Sequence, residues 1–191
     1  MQALAQMHMY DHLEGQDVWV AFFDVDEFVV LRKHKTIQEM LQYCSSEGGS
    51  LSLSWILFGS SGETHYRPEP VFKRFQMRSK DVQKTVKNIS YIPHISQAST
   101  DPHFQLVNAP FTQHDCHGRS FSGANNDHPN EDIAAINHYF VKSYEEFCKK
   151  RARGHSGTGT YHLYDIRAFQ FTDLNHIEDT RAWDLYREKN G

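Results

Sequence analysis

Val18-Trp19-Val20-Ala21-Phe22-Phe23-Asp24-Val25-Asp26-Glu27-Phe28 is the stretch on which the fold turns. Six consecutive apolar residues make the pattern of a strand buried on both faces of an α/β sheet. Two aspartates follow at once. Alternate positions of an extended segment point the same way, so Asp24 and Asp26 are expected to face one site at the strand's carboxyl end. Open α/β sheets place ligands there. Paired carboxylates in that position need a cation or hydrogen-bond donors to neutralise them. Hard oxygen ligands suit Mg²⁺ or Mn²⁺, which keep places for water and substrate phosphates. The competing reading is a plain turn, since Asp is common where strands end.

Working outward, residues 1–13 carry helical spacing and stop at Gly15. They lack an N-terminal cap, as though the chain opened inside an element. Residues 28–31 read as a second short strand. Thr36-Ile37-Gln38-Glu39 is a capping box, with Ile37, Met40, Leu41 and Cys44 on one stripe and Gly48-Gly49 beyond the end. Residues 51–58 read as a strand that ends in Gly59-Ser60-Ser61-Gly62. Residues 85–92 and 103–107 are further strand candidates, and 108–131, rich in Gly, Asn, Asp and His, reads as a long loop of the kind that carries binding residues. Residues 133–141 are strand-like and run into a second capping box, Ser143-Tyr144-Glu145-Glu146. The helix behind it ends in Lys149, Lys150, Arg151 and Arg153, then Gly154. Residues 155–191 read as a flexible, aromatic-rich tail. Alternating strands and helices point to one α/β domain over 1–191.

At 191 residues, 39% hydrophobic and 13% aromatic, the chain has the material for a core. Twenty basic against twenty-four acidic residues leave a charge of -4, which argues against a general nucleic-acid binder. The longest apolar run, 18–23, is far short of the ~20 residues a membrane span needs, and residues 1–14 show no signal peptide. Cys44, Cys116 and Cys148 have neither metal-site spacing nor an even count and read as free thiols. Asn88-Ile89-Ser90 is a formal glycosylation sequon, a weak sign of a secretory compartment beside the cytoplasmic alternative.

Three segments carry a resemblance. Residues 22–28 resemble the D-x-D-E-F segment of GT-A-type glycosyltransferases of the family 2-like and family 92 group. Trp55-Ile56-Leu57-Phe58-Gly59-Ser60-Ser61-Gly62 resembles the group's W-x-x-F-G-S-S-G segment. Asn137-His138-Tyr139-Phe140-Val141-Lys142-Ser143-Tyr144-Glu145-Glu146-Phe147 resembles its N-H-Y-x-x-K-S-x-E-E-F segment, followed by Lys150-Arg151-Ala152-Arg153-Gly154. The resemblance implies a GT-A-like mixed sheet flanked by helices, without the N-terminal β-α-β units that cradle the nucleotide base. It implies an inverting sugar transfer from a UDP- or GDP-type nucleotide-sugar donor to a hydroxyl of a glycan or glycoprotein.

By resemblance, Asp24 and Asp26 hold a Mn²⁺ or Mg²⁺ ion that bridges the donor's diphosphate and neutralises charge on the leaving group. His138 is a third ligand or a diphosphate contact; a backbone-bonded core histidine is the alternative. Lys142 and the helix N-terminus beside it are expected near phosphate. Trp55 and the Gly59, Ser60, Gly62 loop are expected on the acceptor side, where an indole face stacks on a sugar and glycine lets backbone approach closely. His103, in Asp101-Pro102-His103-Phe104, joins them through a P-H-F element of the group. Glu63 is the expected catalytic base, although the group commonly has other residues there. Asp127, Glu131 and Asp132 compete with it. Two other classes compete with the transferase: a sugar-binding relative without turnover, and a haloacid-dehalogenase-like phosphatase. In the phosphatase the first Asp would attack phosphorus, but Phe28 stands where that class carries Thr or Val.

Overall fold

A computed structural model describes residues 2–45, 48–97, 99, 101, 103–154 and 166–190. The protein is mixed α/β, with a mixed sheet flanked by helices. Its contacts group into two compact units, 1–55 with 82–136 and 56–81 with 137–191, where the sequence reads as one domain.

The first unit opens with helix α1 (Gln2–Leu13), which buries Gln6 and Tyr10. Burial holds the Tyr10 hydroxyl up at a pKa of about 12, against a hydrogen bond with Ser90 that lowers it. Then come β1 (Trp19–Ala21), β2 (Glu27–Leu31), α2 (Ile37–Cys44) and β3 (Ser50–Leu57). The expected strand over 18–23 is thus only three residues long and partly exposed rather than buried on both faces. The reason is its place in the sheet. The strand order β1-β5-β3-β9-β2 puts β1 at a margin, bonded antiparallel to β5 (Val86–Tyr91), with Trp19 opposite Tyr91. Here β9 is Ala134–His138, and β8 (Gln113–His114) pairs β3 in parallel. The pair β3–β5 is antiparallel, with Leu53 opposite Lys87.

The capping box at Thr36 forms as read, with Thr36 accepting the Glu39 N–H and Glu39 reaching back to the cap. Met40 and Cys44 then pack on Leu51, Leu53, Ile89, Cys116, Ile133 and Ile136, which form the core of this unit. Gly49 takes a φ of 96°, and a Cβ there would meet the Thr112 carbonyl oxygen at 2.4 Å, so only glycine fits the approach of this turn to the segment before β8. Asn88 of the sequon is buried in β5 and accepts the Ser52 hydroxyl at 2.6 Å, so it is not presented as a glycosylation acceptor. A 3₁₀ turn (Ile92–His94) leads to a small ladder of β6 (Ile95–Gln97) and β7 (Leu106–Val107).

The second unit holds α3 (Val71–Arg74), β4 (Met77–Arg78), α4 (Tyr144–Arg153), α5 (Ile166–Thr172), β10 (Ile177–Glu178) and α6 (Arg181–Asn190). Its core includes Phe58 against Tyr139, rings 4.7 Å apart, and Phe147 against Phe169 at 5.1 Å. The stretch read as a flexible tail is helical over Ile166–Thr172 and Arg181–Asn190; residues 155–165 lie outside those described. No helix among the described residues is long and apolar enough to cross a membrane.

Candidate functional site

The aspartate pair sits in a turn, not at the tip of an extended strand. The Glu27 N–H donates to the Asp24 carbonyl at 3.0 Å, closing a four-residue turn between β1 and β2. Strand alternation therefore does not orient these side chains. Val25 is thrown out at 95% exposure while Asp26 is buried at 6%. Glu27 folds back, and its Oε2 accepts the Asp24 N–H at 2.9 Å.

Lys87 of β5 completes the arrangement. Its Nζ lies 3.1 Å from Asp24 Oδ2 and 3.3 Å from Glu27 Oε2. Neither Lys87 nor Glu27 has any exposed side-chain area, whereas the Asp24 side chain is 44% exposed. A buried ammonium is tolerated only when paired, and here it is paired twice. Burial pushes the Glu27 carboxyl above its usual pKa, against the pull of the Asp24 amide and Lys87. The result is a fixed turn carrying three carboxylates, one of them open to solvent. Lys87 was missed as a site residue. The available signal was that it shares a strand face with Ile89 and Tyr91, an odd place for a solvated lysine.

Trp55 and His103 do come together. Their rings meet edge-on at 5.1 Å, and His103 Nδ1 lies 2.8 Å from the Val86 carbonyl oxygen. Trp55 also packs against the core, so it has a structural share in its position. Residues 86 and 87 thus carry both groupings on one strand.

In the second unit the Gly59–Gly62 loop is built around the chain's own side chains. The Ser60 N–H and hydroxyl donate to Asp173, at 2.6 and 3.1 Å, and the Ser61 N–H donates to Asn175 Oδ1 at 2.8 Å. A Cβ on Gly59 would meet that Asn175 oxygen at 2.4 Å, so the close backbone approach expected of this glycine is made to Asn175. Glu63 is engaged as well. It takes the Arg74 guanidinium at 3.0 Å and pairs with Arg67, and Arg74, 1% exposed, also binds Glu146 at 2.8 Å. Both oxygens of the Glu63 carboxylate therefore meet guanidinium groups. Its competitors are paired too: Asp127 with Lys84, Glu131 with Arg32 and Asp132 with His117, at 2.6, 2.6 and 2.9 Å.

His138 ends β9 as a buried residue with its ring edge-on to Phe140 at 5.6 Å. Lys142 follows with a φ of 56°. Ser143 then caps α4, accepting the Glu146 N–H at 3.3 Å. The Tyr144 and Glu145 N–H groups donate to the Glu63 and Thr64 carbonyls at 3.2 and 3.0 Å. The helix N-terminus expected to receive phosphate is therefore already satisfied from within the chain. Among the described residues no three His, Cys, Asp or Glu side chains are grouped to hold a metal ion. A cavity of about 300 Å³, lined by Cys44, Ser45, Phe111, Thr112 and His114 among others, contains none of the candidate catalytic, substrate-binding or metal residues. No protein-family model and no curated protein sequence matches the chain.

Proposed function

We propose that the Asp24–Glu27 turn is the diphosphate-facing centre of a GT-A-type glycosyltransferase that moves a sugar from a nucleotide-sugar donor to a hydroxyl acceptor. The observation that carries this reading is the half-open Asp24 carboxylate on a turn that Lys87 and Glu27 hold rigid from beneath. The order of the three family-like segments supports it. Asp24 and Asp26 are the residues assigned to a Mn²⁺ or Mg²⁺ ion. Such ions need only one or two protein carboxylates when substrate phosphates complete the shell. When bound, the ion supplies charge stabilisation for the departing nucleoside diphosphate.

Within the chain, Lys87 fixes the direction of Asp24 and offsets part of the turn's negative charge. Trp55 and His103 present an aromatic wall suited to a sugar's C–H face. His138 and Lys142, the residues assigned to the diphosphate by resemblance, lie in the second unit. Glu63, the residue assigned as the base, has Arg74 and Arg67 on its oxygens. That engagement favours one other reading, a sugar-binding relative without turnover. The Lys87–Asp24 contact favours another, since an aspartate that attacks phosphorus also benefits from an adjacent ammonium.

One experiment separates the three. The chain is incubated with UDP- and GDP-sugars, and with a generic phosphomonoester, with Mn²⁺ or with EDTA. The transferase reading expects nucleoside diphosphate release that EDTA and Asp24→Asn both abolish. Phosphate release from the monoester, abolished by Asp24→Asn, would establish the phosphatase. Sugar binding with no release of either product would establish the binding protein.

A further inference from the structure

Cys44 and Cys116 lie side by side in the core of the first unit, 8% and 4% exposed. Cys44 is the last residue of α2, and Cys116 stands two residues beyond β8. The two ends are pinned together independently of sulfur. The His114 Nε2 lies 3.0 Å from the Ser45 hydroxyl and 3.1 Å from the Cys44 carbonyl oxygen. The thiols hydrogen-bond to each other, which holds Cys44 below the usual thiol pKa, and the same bond with burial holds Cys116 above it. Cys44 is also one of the residues that line the cavity of about 300 Å³.

We propose that Cys44 and Cys116 form a peroxide-driven disulfide, with Cys44 the attacking thiol and Cys116 the resolving one. The Cys44 thiolate attacks one oxygen of hydrogen peroxide, the O–O bond breaks and hydroxide leaves, which gives a sulfenic acid at Cys44. The Cys116 thiol then attacks that sulfur, the S–O bond breaks, and its proton leaves with the hydroxyl as water. The two sulfurs lose two electrons to the peroxide. Thiols already in hydrogen-bond contact need only a small closing movement to reach the ~2.05 Å bond. The product ties the end of α2 to the segment after β8, beside the cavity that Cys44 helps to line. This inference does not depend on the transferase reading.

The test treats the folded full chain with graded hydrogen peroxide, then alkylates it in denaturant and maps the peptides. The expected result is a peptide pair joined through Cys44 and Cys116 at doses that leave Cys148 alkylated as a thiol. In Cys116→Ser the intermediate should persist and be captured by dimedone at Cys44. Oxidation of Cys148 while Cys44 and Cys116 both remain alkylatable would overturn the proposal. A disulfide to Cys148, or a dimedone adduct on Cys116 in wild type, would also overturn it. Wild type alone decides the outcome if the variant fails to fold.

Discussion

Lys87 has no exposed side-chain area and meets two carboxylates, Asp24 and Glu27. Truncating it to methionine leaves Glu27 charged and buried without its partner. Lys87→Met should therefore cost about 3–5 kcal/mol of unfolding free energy in a urea titration. Lys87→Met with Glu27→Gln should cost clearly less than the two single changes added together, because the pair acts as a unit. Equal, additive losses would show that the contact is incidental. Asp115 supplies a pH signature of the opposite kind. Burial alone would raise its pKa, but the Arg119 guanidinium, the His117 and Arg119 amides and Asn126 hold it below the ordinary carboxylate value. A group depressed in the folded state contributes stability above its unfolded pKa of about 3.9 and loses it as pH falls through the folded value. Glu27 is raised, so its contribution runs the other way and diminishes as pH rises above about 4.3. Acid titration of unfolding should be shallower below about pH 4 in Asp115→Asn than in wild type, checked by melting curves at each pH. At this scale the sequence made Asp24 and Asp26 visible, whereas the partnership of Lys87 with Asp24 and Glu27, sixty residues away, had no local trace beyond a lysine on an apolar strand face.

Elements with local causes were legible. Both capping boxes form where Thr36-x-x-Glu39 and Ser143-x-x-Glu146 stand, because cap and third residue meet within one turn and need no help from afar. Thr36→Ala should lower stability by about 1 kcal/mol. Ser143→Ala should cost more, about 2 kcal/mol, since Ser143 is fully buried and its hydroxyl donates to Glu146, the partner of Arg74. Thermal melts of both variants check the order, and equal losses would remove the link to Arg74. Elements whose extent depends on distant pairing were less legible. The run 18–23 looked like a central strand, but β1 covers only Trp19–Ala21 at the margin of the sheet. The turn at Asp24 also replaced the extended geometry on which the alternation argument rested. The Gly59–Gly62 loop was visible as a loop, yet its partners Asp173 and Asn175 lie more than a hundred residues away.

For the whole molecule, the α/β class and the pairing of helices with strands followed from periodicity. The order β1-β5-β3-β9-β2 and the grouping of the chain into two compact units did not, because both depend on contacts with no local sequence trace. The two units divide the proposed residues between them. Asp24, Asp26, Trp55, His103 and Lys87 belong to the first, and Gly59, Ser60, Gly62, Glu63, His138 and Lys142 to the second.

The central claim is that the Asp24–Glu27 turn, propped by Lys87, receives a cation and a nucleoside diphosphate together. Isothermal titration of UDP and of GDP into the chain, with Mn²⁺ or with EDTA, measures this directly. The account predicts binding of one nucleotide that requires Mn²⁺ and falls at least about tenfold in Asp24→Asn, a loss of about 1.4 kcal/mol. Equal affinity with Mn²⁺ and with EDTA, or full affinity in a folded Asp24→Asn chain, would contradict it.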